Sequence, residues 1–259
     1  MIDDYQYVYG AEDKIMEASP ASFANTYVEY LVDGEATGEA VKDRLQRFLA
    51  KAKPQDQIIV FLAGHGVLDE KNSYYYAPHD MDFEQVEKKG VSFEGILAGM
   101  TASPATRKLL LMDTCHSGNT FDLASGADRQ QGERAEGQRG SVATSTGASN
   151  VKVSEIISTL FDNFRSTNGI TILSASSGED VAYETRDLGN GAFTTALLNR
   201  LRHSLGGDLG LVNEERLALP VILTEDLIDK IQTEVMDLTQ QKQVPDIREI
   251  NSLSKIRIW

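Results

Sequence analysis

The sequence predicts an α/β protein, a mostly parallel central sheet flanked by helices on both faces. Three observations carry that prediction. Residues 57–67 (QIIVFLAGHGV) and 108–120 (KLLLMDTCHSGNT) each begin with the unbroken apolar run of a strand buried on both faces. Residues 169–175 (GITILSA) repeat the pattern. Segments with helical periodicity fall between such runs, and strand–helix–strand order implies right-handed parallel crossovers, the doubly wound arrangement.

Taken in order, residues 1–25 give little: MIDDYQYVYG suits a short strand and AEDKIMEAS a helix ended by Pro20. Residues 26–32 (TYVEYLV) alternate well enough to predict a strand, with Asp33-Gly34 as the turn after it. Thr37 is placed to cap a helix through Ala50 whose inner face carries Val41, Leu45, Phe48 and Leu49. Lys53-Pro54-Gln55-Asp56 breaks that helix before the strand at 57–67. A short aromatic strand is expected at 74–77, and a helix over 92–100 with Phe93, Ile96, Leu97 and Met100 inward. Residues 123–150 are Gly, Ser, Ala, Gln and charge almost without large apolar side chains, which predicts a mobile loop. Helices are expected at 153–164, at 192–203 and, capped by Thr224, over 224–238. The tail KIRIW alternates and reads as an edge strand.

Bulk composition narrows the function classes. A chain of 259 residues can bury a substantial core, and 41% hydrophobic with 25% charged residues is ordinary for a globular domain. The formal charge of -14 disfavours nucleic acid as a partner. A single cysteine allows no internal disulfide, which suits a reducing compartment. No run resembles a membrane span or a signal peptide, so the expected address is the cytoplasm, with no membrane partner.

The chemistry-bearing residues lie where two apolar runs stop. One run ends in Asp113-Thr114-Cys115-His116-Ser117-Gly118 and the other in Gly64-His65-Gly66. Open α/β sheets place ligands beyond the carboxyl ends of their strands. A thiol on one strand end and an imidazole on another form a nucleophile and base if the strands are parallel neighbours. The alternative for Cys115 is a small buried hydrophobe, but its polar neighbours make a poor apolar hole. His65 would take the Cys115 proton and later protonate the leaving amine. Backbone N–H groups of Gly66 and Cys115 are the candidate oxyanion donors. No third member of a triad is evident. Asp113, two residues before Cys115, shares its strand face; it serves either as a carboxylate near the nucleophile or as a cap for the turn. A zinc site fails on spacing, because Cys115 and His116 are adjacent and no CxxC exists. A nucleotide site fails for want of GxxxxGK.

These motifs resemble the caspase-like cysteine peptidases, most closely the bacterial metacaspase-like (orthocaspase) branch. The carriers are AGHG (63–66), YYYAPHD (74–80), DTCHSG (113–118), SASSGEDVAYE (174–184) and GNGAFTTALL (189–198), in family order over roughly 26–203. The resemblance implies the caspase-hemoglobinase fold, with a peptidase core over 1–203. Within it, residues 1–122 would be large-subunit-like, 123–150 the linker and 151–203 small-subunit-like; residues 204–259 would complete or extend the core. It implies a cysteine endopeptidase with a Cys115–His65 dyad, a protein or peptide substrate and room for a regulatory partner protein. In metacaspase-like enzymes the aspartate at the position of Asp113 lines S1 and selects Arg or Lys at P1. Glu184 is a further carboxylate for that pocket, and Asp13 the nearest match to a family aspartate that contacts P1. A basic preference makes Arg129, Arg134, Arg139 and Lys152 self-cleavage candidates. No cofactor is required. Calcium activates some metacaspases, but the chain has no EF-hand pattern. The competing readings are a catalytically silent caspase-like scaffold and a peptidase with Asp specificity, which Asp113 contradicts.

Overall fold

Local capping chemistry decides where the first elements start and stop. The structure, a computed structural model, describes residues 25–69, 71, 73–117, 169–175, 190–204, 222–223, 225–250 and 256–257. Thr37 caps helix α1 (Gly38–Lys51), its Oγ1 accepting from the Ala40 N–H at 3.3 Å. Val41 and Leu49 are buried, and Leu45 and Phe48 pack against the same core from its margin. Lys53-Pro54 ends the helix, and strand β1 (Gln57–Leu68) follows. Strand β2 (Tyr74–Ala77) folds back on it, and a four-residue helix α2 (Val86–Lys89) leads to the short β3 (Val91–Ser92). Ser92 then caps α3 (Phe93–Ala102) through the Gly95 N–H. The apolar face of α3, namely Phe93, Ile96, Leu97 and Met100, is fully enclosed.

Strand β4 (Arg107–Ser117), strand β5 (Ile170–Ser174) and helix α4 (Ala192–Ser204) come next. They are followed by β6 (Ile222–Leu223), α5 (Glu225–Leu238), β7 (Asp246–Ile250) and β8 (Ile256–Arg257). The main sheet has six strands in the order β3-β2-β1-β4-β5-β7. Its centre is parallel, β1 with β4 and β4 with β5, while β2, β3 and β7 run antiparallel to their neighbours. The sheet is therefore mixed, with the expected parallel strands at its heart. The β1–α3–β4 connection is the crossover that brings the two motif-bearing strands side by side.

Alternation along β4 divides the core in two. Leu110 and Met112 face a cluster built with Ile58, Val60 and Leu62 of β1 and with α1 and α3. Leu109 and Leu111 face a second cluster with Phe193 and Ala196 of α4 and Leu227, Ile231 and Val235 of α5. Helices thus cover both faces, as expected. At the start of β4, Lys108 is fully buried, in register with Ile58 and Ile170, and burial pushes its ammonium below the ordinary lysine range.

Three expectations need correction or placement. Residues 26–32 form no strand: the segment makes no ladder with any described strand and instead lies beside α1, Glu29 reaching Arg44 and Lys51. The tail strand is an edge strand as expected, in a separate two-stranded sheet with β6, while the main sheet is edged by β3 and by β7, whose DIREI has no local signal strong enough to mark it. Residues 1–24, the loop at 123–150, the helix at 153–164 and Thr224 lie outside the described residues.

Candidate active site

The parallel register sets the two key positions opposite each other. Ala63, Gly64, His65 and Gly66 of β1 pair in order with Asp113, Thr114, Cys115 and His116 of β4. His65 and Cys115 are thus Cα partners on adjacent strands, at the carboxyl edge of both. Adjacent strands lie about 4.8 Å apart, and in-register residues share a face, so the pair stands on one rim. That row is the one carrying Ile59, Phe61, Leu109 and Leu111; His116, one residue on, belongs to the opposite row with Gly66. His65 is exposed. Gly64 has φ 145°, a conformation that favours glycine, and a Cβ there would stand 3.3 Å from the Tyr76 ring. The Tyr76 hydroxyl donates to the Ala63 carbonyl at 3.3 Å, tying β2 to this end of β1.

Asp113 is 3% exposed, and its carboxylate faces the start of α4. Thr194, the third residue of that helix, donates to Asp113 Oδ2 from its Oγ1 at 2.5 Å and from its N–H at 3.3 Å. The Thr194 amide is one of the donors that a helix start leaves without an intrahelical acceptor, so Asp113 caps α4 from 81 residues away. A Cβ on Gly191 would come within 2.7 Å of Oδ2, so the chain meets the carboxylate where only glycine leaves room. Cap and face agree: the carboxylate stands on the same row as Cys115, beside the α4 N-terminus.

On the opposite row, Tyr74 reaches from β2 beneath β1, and its hydroxyl bonds Thr114 Oγ1 at 2.9 Å. Both residues are buried, at 2% and 0% exposure. A Cβ on Gly66 would lie 1.8 Å from that hydroxyl. The second glycine of Gly64-His65-Gly66 is therefore demanded from below by a tyrosine.

The last two residues of the YYYAPHD stretch hold α1 and the chain before it. Asp80 accepts from the Gly38 N–H at 2.7 Å and from Lys89 Nζ at 2.8 Å, so it supports the start of α1. The Lys89 hydrogen bond, with that of Gly38, holds its carboxyl below the ordinary range. His79 is exposed, and its N–H donates to the Ala36 carbonyl at 2.8 Å. Among the described residues, no three His, Cys, Asp or Glu side chains gather to hold a metal ion.

Glu184, Asp13, Arg129, Arg134, Arg139 and Lys152 lie outside the described residues. Sequence reasoning missed Thr194 and Gly191, although GNGAFT before a helical run is itself a signal of a constrained helix start. It also missed Gln243, fully buried, whose Nε2 donates to the Ala175 carbonyl at 2.8 Å just beyond β5. No local pattern marks that glutamine.

Fold and rim together define an α/β protein of caspase architecture, with a histidine and the chain's one cysteine on neighbouring strand ends. The chain belongs to the caspase-domain family of peptidases (C14): the family's sequence profile matches residues 16–255. No curated protein sequence matches it. A crystal structure of the protein GSU0716 from Geobacter sulfurreducens is similar in fold, with a TM-score of 0.53 at 19% identity, over 96% of this chain and 86% of that one. Among the described residues no helix is long and apolar enough to cross a membrane.

Proposed function

We propose that the chain is a cysteine endopeptidase in which Cys115 is the nucleophile and His65 its base. A free thiol has a pKa of about 8.5 and is a few per cent thiolate at neutral pH, so it needs a partner that takes its proton. The observation that carries the reading is the register: position 65 stands directly across from position 115, at the strand edge where such sheets bind ligands. The thiolate attacks the scissile carbonyl carbon, the carbonyl electron pair moves to oxygen, and amides at Gly66 and Cys115 are the proposed donors to that oxyanion. His65, carrying the thiol proton, gives it to the departing amine, and water then releases the acyl group.

We assign the P1 preference to Arg or Lys through Asp113, with Glu184 and Asp13 as further carboxylates. A guanidinium is best matched by a carboxylate in a partly desolvated pocket. What favours Asp113 is its place on the face of Cys115; what competes is its service as the α4 cap. The linker arginines Arg129, Arg134 and Arg139, with Lys152, become self-cleavage sites on this reading.

A fluorogenic panel with Arg, Lys, Asp and Asn at P1, run on wild type, Cys115→Ala and His65→Ala, tests the proposal. Arg and Lys turnover that falls at least about 1,000-fold in either variant is the expected result. Absence of turnover from every substrate, also after linker cleavage and with calcium added, favours a silent scaffold.

A further inference from the structure

We propose that Tyr74 is a positioning residue for the Cys115–His65 pair, acting through its buried hydrogen bond to Thr114; the inference rests on the dyad reading above. Tyr74 starts in β2 opposite Leu68, passes beneath β1 at Gly66 and ends on β4 at Thr114. The two places it meets, the backbone of Gly66 and the hydroxyl of Thr114, belong to the immediate neighbours of His65 and Cys115. One rigid ring therefore spans the gap between the strand ends whose separation governs proton transfer. Its own position is fixed: Phe93 packs edge-on against it, centroids 5.9 Å apart at 83°.

Energetics point the same way. The ring lies among apolar side chains of α3 and β1, where a phenylalanine would fill nearly the same volume. Removing two buried hydrogen-bonded partners together, in favour of apolar groups of the same shape, can be close to neutral for stability. Core packing alone therefore does not call for a hydroxyl facing a hydroxyl at this place. What the pair supplies is direction and distance. A hydrogen bond of 2.9 Å holds Thr114 to a ring that also fills the space beneath Gly66. Without it, β1 and β4 keep their ladder, but the rim above is free to shift by tenths of an ångström. Misplacement on that scale weakens a sulfur–imidazole hydrogen bond and raises the thiol pKa.

The test uses the full chain, whose single cysteine makes alkylation by iodoacetamide report on Cys115 alone. The rate is measured against pH for wild type, the double variant Tyr74→Phe/Thr114→Val, Thr114→Ser and His65→Ala, with thermal unfolding recorded for each. Ser103→Ala, which removes a buried hydrogen bond to the Leu49 carbonyl far from the rim, controls for general loosening. Expected is a wild-type midpoint below the ordinary thiol value of about 8.5. The double variant should unfold near the wild-type temperature, yet its midpoint should rise by about one pH unit and its rate at pH 6.5 fall at least about fivefold. Thr114→Ser, which keeps the hydroxyl, should restore most of that reactivity, and Ser103→Ala should leave the profile unchanged. A folded double variant that alkylates like wild type overturns the inference while leaving the dyad intact. Should the double variant fail to fold, Thr114→Ser and Thr114→Ala are compared, and equal profiles overturn it. If His65→Ala itself leaves the wild-type profile unmoved, the dyad reading falls, and this inference with it.

Discussion

Asp113 shows how one residue can be read correctly in place and incompletely in role. Its face and its closeness to Cys115 follow from strand alternation alone, whereas the partner that holds it, Thr194, is reachable only through the fold. Two variants separate the helix cap from the proposed contact with a basic P1 side chain. Asp113→Asn should destabilise the protein by about 1–3 kcal/mol and lower Arg and Lys turnover at least about 100-fold. Thr194→Val should cost a similar stability, measured by denaturant unfolding, yet keep the preference for basic P1. Retention of that preference in Asp113→Asn would reduce Asp113 to a helix cap. Lys108 is the opposite case, an ordinary-looking residue made unusual by burial. Its folded pKa lies below the unfolded 10.5, so over that interval the unfolded chain binds more protons and stability rises with pH. The Lys108 contribution to stability should therefore grow as pH climbs toward 10.5, and Lys108→Met should lack that share of the slope. A pH series of urea midpoints reads the difference.

Elements were legible where their signals are local. Thr37 caps the helix it was expected to cap, because a hydroxyl one residue before an amphipathic run meets the same unsatisfied amides wherever the helix lies, and Ser92, expected as the first residue of its helix, proves to be its cap. The apolar runs became β1, β4 and β5 for a similar reason: continuous hydrophobicity has nowhere to go but between two layers. The segment 26–32 had the alternation of a strand and did not become one: it pairs with no described strand, and Glu29 instead bridges to Arg44 and Lys51 of α1. Asp80 illustrates an element-level contact with a pH signature. Its folded pKa is depressed, so its contribution is present above the ordinary carboxylate range and is lost as pH falls through the folded value. Asp80→Asn should weaken the start of α1 and lower stability at pH 7 by about 1 kcal/mol, as loss of a helix-start acceptor does. The gap between variant and wild type should close as pH falls below about 4, which thermal unfolding across pH checks.

At the scale of the molecule, the segments of the chain on either side of residues 118–168 are joined by more than the peptide between them. Strand β5 pairs with β4 over five residues, α4 and α5 share the second core cluster with β4, and Asp113 caps α4. A protease nick confined to 118–168 should therefore leave both fragments in one peak on gel filtration, separating only in denaturant. Two peaks in native buffer would contradict the continuity of that core. The sequence by itself determined the fold class, the helix starts, the buried strands and the strand ends that carry His65 and Cys115, because periodicity, capping and apolar runs are written within a few residues of one another. Only the tertiary structure decided which strands are neighbours and in what register. It alone gave Asp113 a helix to cap, Gly66 a tyrosine beneath it, and β7 an edge of the sheet. Those outcomes depend on contacts between residues tens of positions apart, which exist only once the chain has closed on itself.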